Sequence, residues 1–230
     1  MRISHRHQFI FLSRQKCAST SIRKMLNSYS DIFSENKLPY HHHSPALLLK
    51  QHFESQGWDW HRYFKFTCVR NPWDLVVSLY SYGKPDVNGN YWWSQDKHGA
   101  SYDPDTRMEF KDWLKQAKSW DWKKNKWVNN LYPYSLAYMI FDEEENFLVD
   151  YILRVENLDA DLWQVRSRLG LELECGKLNT SDRTRYINYY DEESKQIISE
   201  WFAFDIKFGN YTFDKKTIGE ESKLLSSVKA

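Results

Sequence analysis

Apolar positions recur along the chain in a repeated order of short solid runs followed by spaced stripes. Phe9-Ile10-Phe11-Leu12 are four consecutive apolar residues bounded by polar ones, the pattern of a short strand buried on both faces of a parallel sheet. A polar stretch follows, Ser13-Arg14-Gln15-Lys16-Cys17-Ala18-Ser19-Thr20. Ile22, Met25, Leu26 and Tyr29 then recur at i, i+3, i+4 and i+7, the stripe of an amphipathic helix. The same order returns at Tyr63 to Val69, a second predicted strand, which ends in Arg70-Asn71-Pro72-Trp73-Asp74. Here Asn71 suits an N-cap, Pro72 the first turn, and Asp74 the positive end of a helix. Leu75, Val76, Leu79 and Tyr82 predict the buried face of that helix. Phe147 to Leu153 predicts a third strand, and Leu162, Val165 and Leu169 a helix stopped by Gly170.

Between these units the pattern is weaker. Asp31 to Tyr40 is polar and reads as a connection. Ser44 and Pro45 suit the cap and first position of a short helix through Ala46, Leu47, Leu48 and Leu49, with His41-His42-His43 just ahead of it. Gly83 to Asp105 reads as a long loop carrying Tyr91-Trp92-Trp93, and loops of that length are often functional. Phe110, Trp113, Leu114 and Ala117 restore helical spacing, whereas Trp120, Trp122, Trp127, Tyr132 and Tyr134 follow no clear period. Leu171 to Asn188 reads as extended and polar, and Ile197, Ile198, Trp201 and Phe202 mark the last helix. Strands alternating with helices define an α/β fold, a mainly parallel sheet flanked by helices. One domain over residues 1–213 is expected, followed by a flexible C-terminal tail at 214–230.

Composition narrows the chemistry. The 230 residues carry a net charge of +1, which argues against a nucleic-acid binder working through a large basic face. Eleven Trp, fifteen Tyr and thirteen Phe suit either an aromatic-rich core or a cleft for a flat ligand, and Trp92 and Trp93 fit a sugar platform as well as plain packing. Cys17, Cys68 and Cys175 are few and widely spaced, which points to a reducing compartment rather than a disulfide framework. No basic-and-apolar leader precedes the first strand, and no apolar run approaches membrane-spanning length. The expectation is a cytoplasmic chain with no membrane segment, although a catalytic domain cut from a membrane-anchored parent would read the same.

The loop after the first strand aims backbone N–H groups, a lysine and three hydroxyls at one spot, and a helix N-terminus there already favours anions. A nucleotide kinase would need G-x-x-x-x-G-K-[ST], yet no glycine precedes Gly57. Its second strand would end in an acid to hold magnesium; here it ends in Arg70. A metal-free anion held by cations fits better.

Lys16-Cys17-Ala18-Ser19-Thr20-Ser21 after one strand, with Arg70-Asn71-Pro72-Trp73-Asp74-Leu75-Val76-Val77-Ser78 after another, resembles the sulfotransferases. The closer likeness is to the carbohydrate-type branch with its heparan-sulfate 2-O-sulfotransferase-like and bacterial members. His43-Ser44-Pro45-Ala46, Arg154-Val155-Glu156-Asn157-Leu158, Asn179 to Arg183 with Tyr189-Tyr190-Asp191, and Asp205 to Phe213 extend the resemblance over roughly residues 8 to 213. It implies the donor 3′-phosphoadenosine 5′-phosphosulfate (PAPS), no metal, and a hydroxylated acceptor, a glycan. It also implies that Lys16, Ser19, Thr20 and Ser21 form the 5′-phosphosulfate loop, with Arg14, Cys17 and Ala18 among the donor-binding residues. Arg70 and Ser78 would hold the 3′-phosphate, and Ser181 and Arg183 would close over the donor. Lys16 would neutralise charge on the bridging oxygen, and a histidine would take the acceptor proton. His43 matches best in its neighbours, with His42 in reserve. Ala18 departs from the glycine that relatives often carry there. Glu156 is expected as a structural partner of Arg154 or of a backbone amide. The competing readings are a P-loop-type kinase and a non-catalytic nucleotide- or glycan-binding module.

Overall fold

The computed structural model describes residues 1–92, 102–116, 134–174 and 184–214. Five strands are joined in one open sheet: β1 (Arg2–Ser4), β2 (Phe9–Leu12), β3 (Ile32–Phe33), β4 (Phe64–Val69) and β5 (Tyr151–Arg154), in the order β3-β1-β2-β4-β5. β2 pairs parallel with β4, and β4 parallel with β5. The helices are α1 (Ser19–Leu26), α2 (Ala46–Ser55), α3 (Pro72–Gly83), α4 (Phe110–Gln116), α5 (Leu136–Ile140), α6 (Leu158–Leu169), α7 (Glu192–Trp201) and α8 (Ala203–Gly209).

The parallel half of the sheet is the half that the apolar runs predict. All four side chains of β2 are fully buried, as are Phe66 and Cys68 of β4. Phe11 and Phe66 meet at 5.3 Å between ring centroids, each burial contributing about 1.5–3 kcal/mol. Two polar groups survive inside the sheet because each has a partner. Thr67 donates to the Leu12 carbonyl at 2.7 Å, and the Lys65 ammonium pairs with Asp150 at 2.9 Å.

The edge differs from expectation. β1 lies antiparallel to both β2 and β3, so the sheet is mixed, and part of the supposed connection from Asp31 is a two-residue strand. Elements this short hold too few positions to show an alternation. The third predicted strand also begins late: Phe147 bridges to Phe141, and pairing with β4 starts only where the Asp150 amide donates to the Lys65 carbonyl at 2.8 Å.

Several local signals act as read. Asn71 caps α3 by accepting from the Trp73 amide, with Pro72 in the first turn, and Gly170 ends α6 in the left-handed conformation at φ 63°. Ser44 does not cap α2; Pro45 occupies the cap position and the helix begins one residue later. At the start of the long loop, Asp86 is fully buried. It accepts from the amides of Asn88, Asn90 and Asp103 at 2.9, 2.8 and 3.2 Å, tying the two described ends of that loop together. The aromatic stretch from Trp120 to Tyr132, the predicted helix end at Ala117 and most of the predicted tail lie outside the described residues. No described helix is long and apolar enough to cross a membrane.

Because β2, β4 and β5 run the same way, the segments that follow them emerge at one edge of the sheet. That edge is where open α/β sheets bind ligands.

Candidate active site

The segment after β2 is a tight loop built on two residues with left-handed backbone, Lys16 at φ 56° and Ala18 at φ 54°. Alternation of this kind turns successive amides toward one side and makes an anion-binding concavity. Neither residue is glycine, so each conformation costs about 1–2 kcal/mol that the surroundings must offset. Two contacts below the loop do so: Cys17 is fully buried, and the Ser19 hydroxyl donates to the Arg14 carbonyl, closing the loop on itself.

α1 starts where the loop ends. Ala18 at its N-cap supplies no side-chain bond, the first turn holds no acid, and Arg23 and Lys24 sit in the last turn. The positive end of the helix dipole is therefore left for an external anion. Ser19 and Ser21 are buried and Thr20 is exposed.

The second cationic turn meets the first. Arg70, at the end of β4, donates from Nη1 to the Lys16 carbonyl at 3.0 Å and grips Asp74 through Nε and Nη2 at 2.8 and 2.7 Å. The Lys16 ammonium lies 3.8 Å from the centre of the Tyr82 ring. Asp74, Ser78 and Tyr82 follow one another at i+4 spacing on α3, hence on one helix face. Ser78 thus sits between the residue that holds Arg70 and the residue that receives Lys16. Tyr82, expected on the buried stripe, is half exposed.

Arg14 was expected among the donor contacts, but its side chain turns inward. The guanidinium is 1 % exposed, ion-paired to Asp205 of α8 and bonded to the Tyr134 carbonyl at 2.6 Å. Asp205 also accepts from the Leu136 amide at 3.1 Å. The pair anchors the loop to α5 and α8 from beneath. Cys17 likewise offers an anion only its backbone, and burial pushes its thiol up to about 11, far from a reactive thiolate.

Two of the three adjacent histidines, His43 and His42, differ in what their rings bond. His43 Nδ1 lies 2.7 Å from the Ser13 carbonyl; a carbonyl can only accept, so Nδ1 carries the proton and Nε2 keeps its lone pair. Burial pushes the His43 imidazolium pKa down to about 3, with the Ser13 bond opposing and Arg23 adding to the shift. The ring is therefore neutral near pH 7, with its tautomer set by the first residue of the anion loop. His42 has the opposite arrangement. Its Nδ1 accepts from Arg23 Nη1 at 2.6 Å and lies 2.7 Å from the Ser34 hydroxyl, so its lone pair is already occupied. Among the described residues, no group of three or more His, Cys, Asp or Glu side chains is arranged to hold a metal ion.

Glu156, after β5, accepts from the Asn71 amide at 2.6 Å and from the Tyr211 hydroxyl at 3.2 Å. Burial raises its pKa, with these bonds and Arg70 opposing. It locks the Arg70 turn to the C-terminal segment, the structural role expected of it. Ser181 and Arg183 lie outside the described residues. Sequence reading gave Tyr82, Asp205 and Ser13 no role at the site; only the i+4 series from Asp74 through Ser78 could have pointed to Tyr82.

A mixed α/β sheet with a phosphate-type loop at a helix N-terminus and a second arginine turn closing on that loop makes a site suited to an anionic group. The sequence pattern described as "Sulfotransferase family" matches residues 1–212, and the chain belongs to that family: it is a sulfotransferase. Among solved structures, the crystal structure of mouse sulfotransferase SULT7A1 complexed with PAP is similar at 14 % identity and a TM-score of 0.43. The match covers 89 % of this chain and 87 % of that one. No curated protein matches the chain.

Proposed function

We propose that the protein transfers a sulfuryl group from PAPS to a hydroxyl of a carbohydrate, with His43 as general base. The observation that carries this reading is the Arg70–Lys16 carbonyl bond. It brings two cationic turns, 54 residues apart in the chain, to one place, as a donor with phosphates at both ends requires.

The 5′-phosphate end fits the α1 N-terminus and the Lys16–Ser21 loop; the 3′-phosphate fits Arg70 and Ser78. In the transfer, His43 Nε2 accepts the acceptor's hydroxyl proton as the oxygen forms its bond to sulfur. The bond from sulfur to the bridging oxygen breaks, and its electron pair leaves with the 5′-phosphate of 3′,5′-phosphoadenosine (PAP). Lys16 faces that departing charge, and the loop amides share it. The ammonium lies over Tyr82, one helical turn beyond Ser78 on the same face of α3. His43 is neutral with a bare Nε2, geometrically open to a proton. With an imidazolium pKa of about 3 it is a weaker base than one poised near pH 7, so its action should fall at or below the low end of the roughly 10²–10⁴-fold that general bases supply. His42 lacks a free lone pair.

Calorimetry with PAP on the wild type, Lys16→Ala and Arg70→Ala tests the donor half. Micromolar binding lost in both variants supports it, and unchanged binding refutes it. A sulfur-labelled PAPS assay on a mixed glycan panel tests the other half, with transfer expected and reduced in His43→Ala. Donor binding without turnover on any hydroxyl acceptor would make the protein a binding module instead.

A further inference from the structure

The helix that follows β4 brings one more residue to the anion loop than the donor contacts use. Asp74, Ser78 and Tyr82 stand on one face of α3. Asp74 holds Arg70 and Ser78 is assigned to the 3′-phosphate, which leaves Tyr82 without a task of its own. Its ring is half exposed, too open to serve mainly as core, yet it is steadied by a neighbour. The Tyr82 carbonyl accepts from Trp92 Nε1 at 2.8 Å, and the two rings meet edge to face at 5.6 Å and 81°. α3 ends directly after this turn, with Lys84 in the left-handed conformation at φ 44°.

What the ring meets is the Lys16 ammonium, 3.8 Å from its centre and well inside the roughly 6 Å reach of cation–π attraction. The other end of Lys16 is fixed as well: its backbone sits at φ 56°, and its carbonyl accepts from Arg70 Nη1 at 3.0 Å. Between these two points runs a flexible four-carbon stem with much rotamer freedom to lose. An ammonium that must meet charge appearing on one oxygen gains from being ordered before that charge appears. A ring face supplies that order by its quadrupole and carries no net charge, so it does not neutralise the cation as a carboxylate in the same place would.

We propose that Tyr82 is a positioning residue for Lys16. Its ring, steadied by Trp92, holds the ammonium on the α3 side of the loop in readiness for the charge of the departing 5′-phosphate. It acts through the ring face and not through its hydroxyl. The inference rests on the proposed transfer from PAPS and adds to it a residue that works through Lys16.

The test begins with the lysine itself. In protein carrying isotope-labelled lysine, the Cε protons of Lys16, assigned by their loss in Lys16→Arg, should resonate upfield of the other lysines because the Tyr82 ring current shields them. That shift should persist in Tyr82→Phe and vanish in Tyr82→Leu. Calorimetry with PAP reads the consequence. Tyr82→Leu should bind PAP about 2- to 30-fold more weakly, the range of a cation–π contact from exposed to desolvated, whereas Tyr82→Phe, which keeps the ring, should retain most of the affinity. In turnover with PAPS, the leucine variant should lose more in kcat than it gains in KM, because the contact counts most once the phosphate charge has developed. An unshifted Lys16 signal in the wild type would overturn the inference. Equal losses in the phenylalanine and leucine variants would also overturn it, since the hydroxyl would then be acting on the donor directly. PAP affinity and kcat unchanged in Tyr82→Leu would overturn it while leaving the transfer reading intact. A wild type that binds no PAP would refute the donor reading, and the inference with it, even with the upfield signal present.

Discussion

Replacing Arg14 with methionine separates a donor contact from a buried anchor. Both side chains of the Arg14–Asp205 pair are 1 % exposed, so Arg14→Met leaves a carboxylate in the interior with the Leu136 amide as its remaining described donor. Breaking a buried pair from one side costs about 3–5 kcal/mol, and for a chain of this size that lowers Tm by roughly 6–20 °C. In the wild type, burial raises the Asp205 pKa and Arg14 pulls it back; without Arg14, only backbone amides such as that of Leu136 oppose burial, and the pKa rises further. A carboxyl whose pKa is higher folded than unfolded contributes stability below its unfolded pKa and loses it as pH rises through the folded one. The defect should therefore shrink toward acid pH. Arg14→Met/Asp205→Leu removes the orphaned charge and should recover most of the loss, since apolar replacement of buried pairs is often neutral. The assay is a set of thermal and urea melts from pH 4 to 8, with PAP calorimetry on the double variant. A single variant costing less than about 1 kcal/mol, or a double variant no better than the single, would refute the anchor. A hundredfold loss of PAP affinity in a well-folded double variant would return Arg14 to the donor site.

Arg70→Ala should weaken PAP binding by roughly 10- to 100-fold, the value of one hydrogen bond to a charged group, and unaltered calorimetry would contradict its phosphate role. With the folded His43 pKa near 3 and an unfolded value near 6.5, the unfolded chain alone gains a proton as pH falls through that window. Stability should decline from about pH 6.5 toward 3, and His43→Phe should flatten the decline measured by urea melts. For the same reason the acid limb of kcat/KM with PAPS varied should lie well below pH 6; a limb at 6.5 that vanishes in the His43 variant would show an ionising imidazole. Ala18→Gly should stabilise the fold by about 0.5–1 kcal/mol, the relief of left-handed strain exceeding the added freedom of the unfolded chain, and a lowered Tm would argue against it.

Much of this protein is written in patterns that depend on near neighbours. Buried parallel strands need runs such as Phe9 to Leu12 and Phe64 to Val69, helix starts need caps such as Asn71, and an anion loop needs a lysine and hydroxyls before a helix. Each of these constraints acts within a few residues, so the alternation of strands and helices and the two cationic turns were readable in order. The antiparallel edge was not, because β1 and β3 are too short to carry a rhythm of their own. Nor could local pattern say which cation faces a ligand. Arg14 and Lys16 look alike on paper, and only the arrival of Asp205 from 191 residues away draws one of them inside. The choice between His42 and His43 rests likewise on which acceptor or donor meets Nδ1, the Ser13 carbonyl or the Arg23 guanidinium. Charge and hydrogen bonding act through space over a few ångströms, so groups distant in the chain decide them, and those partners exist only once the sheet and its helices have assembled.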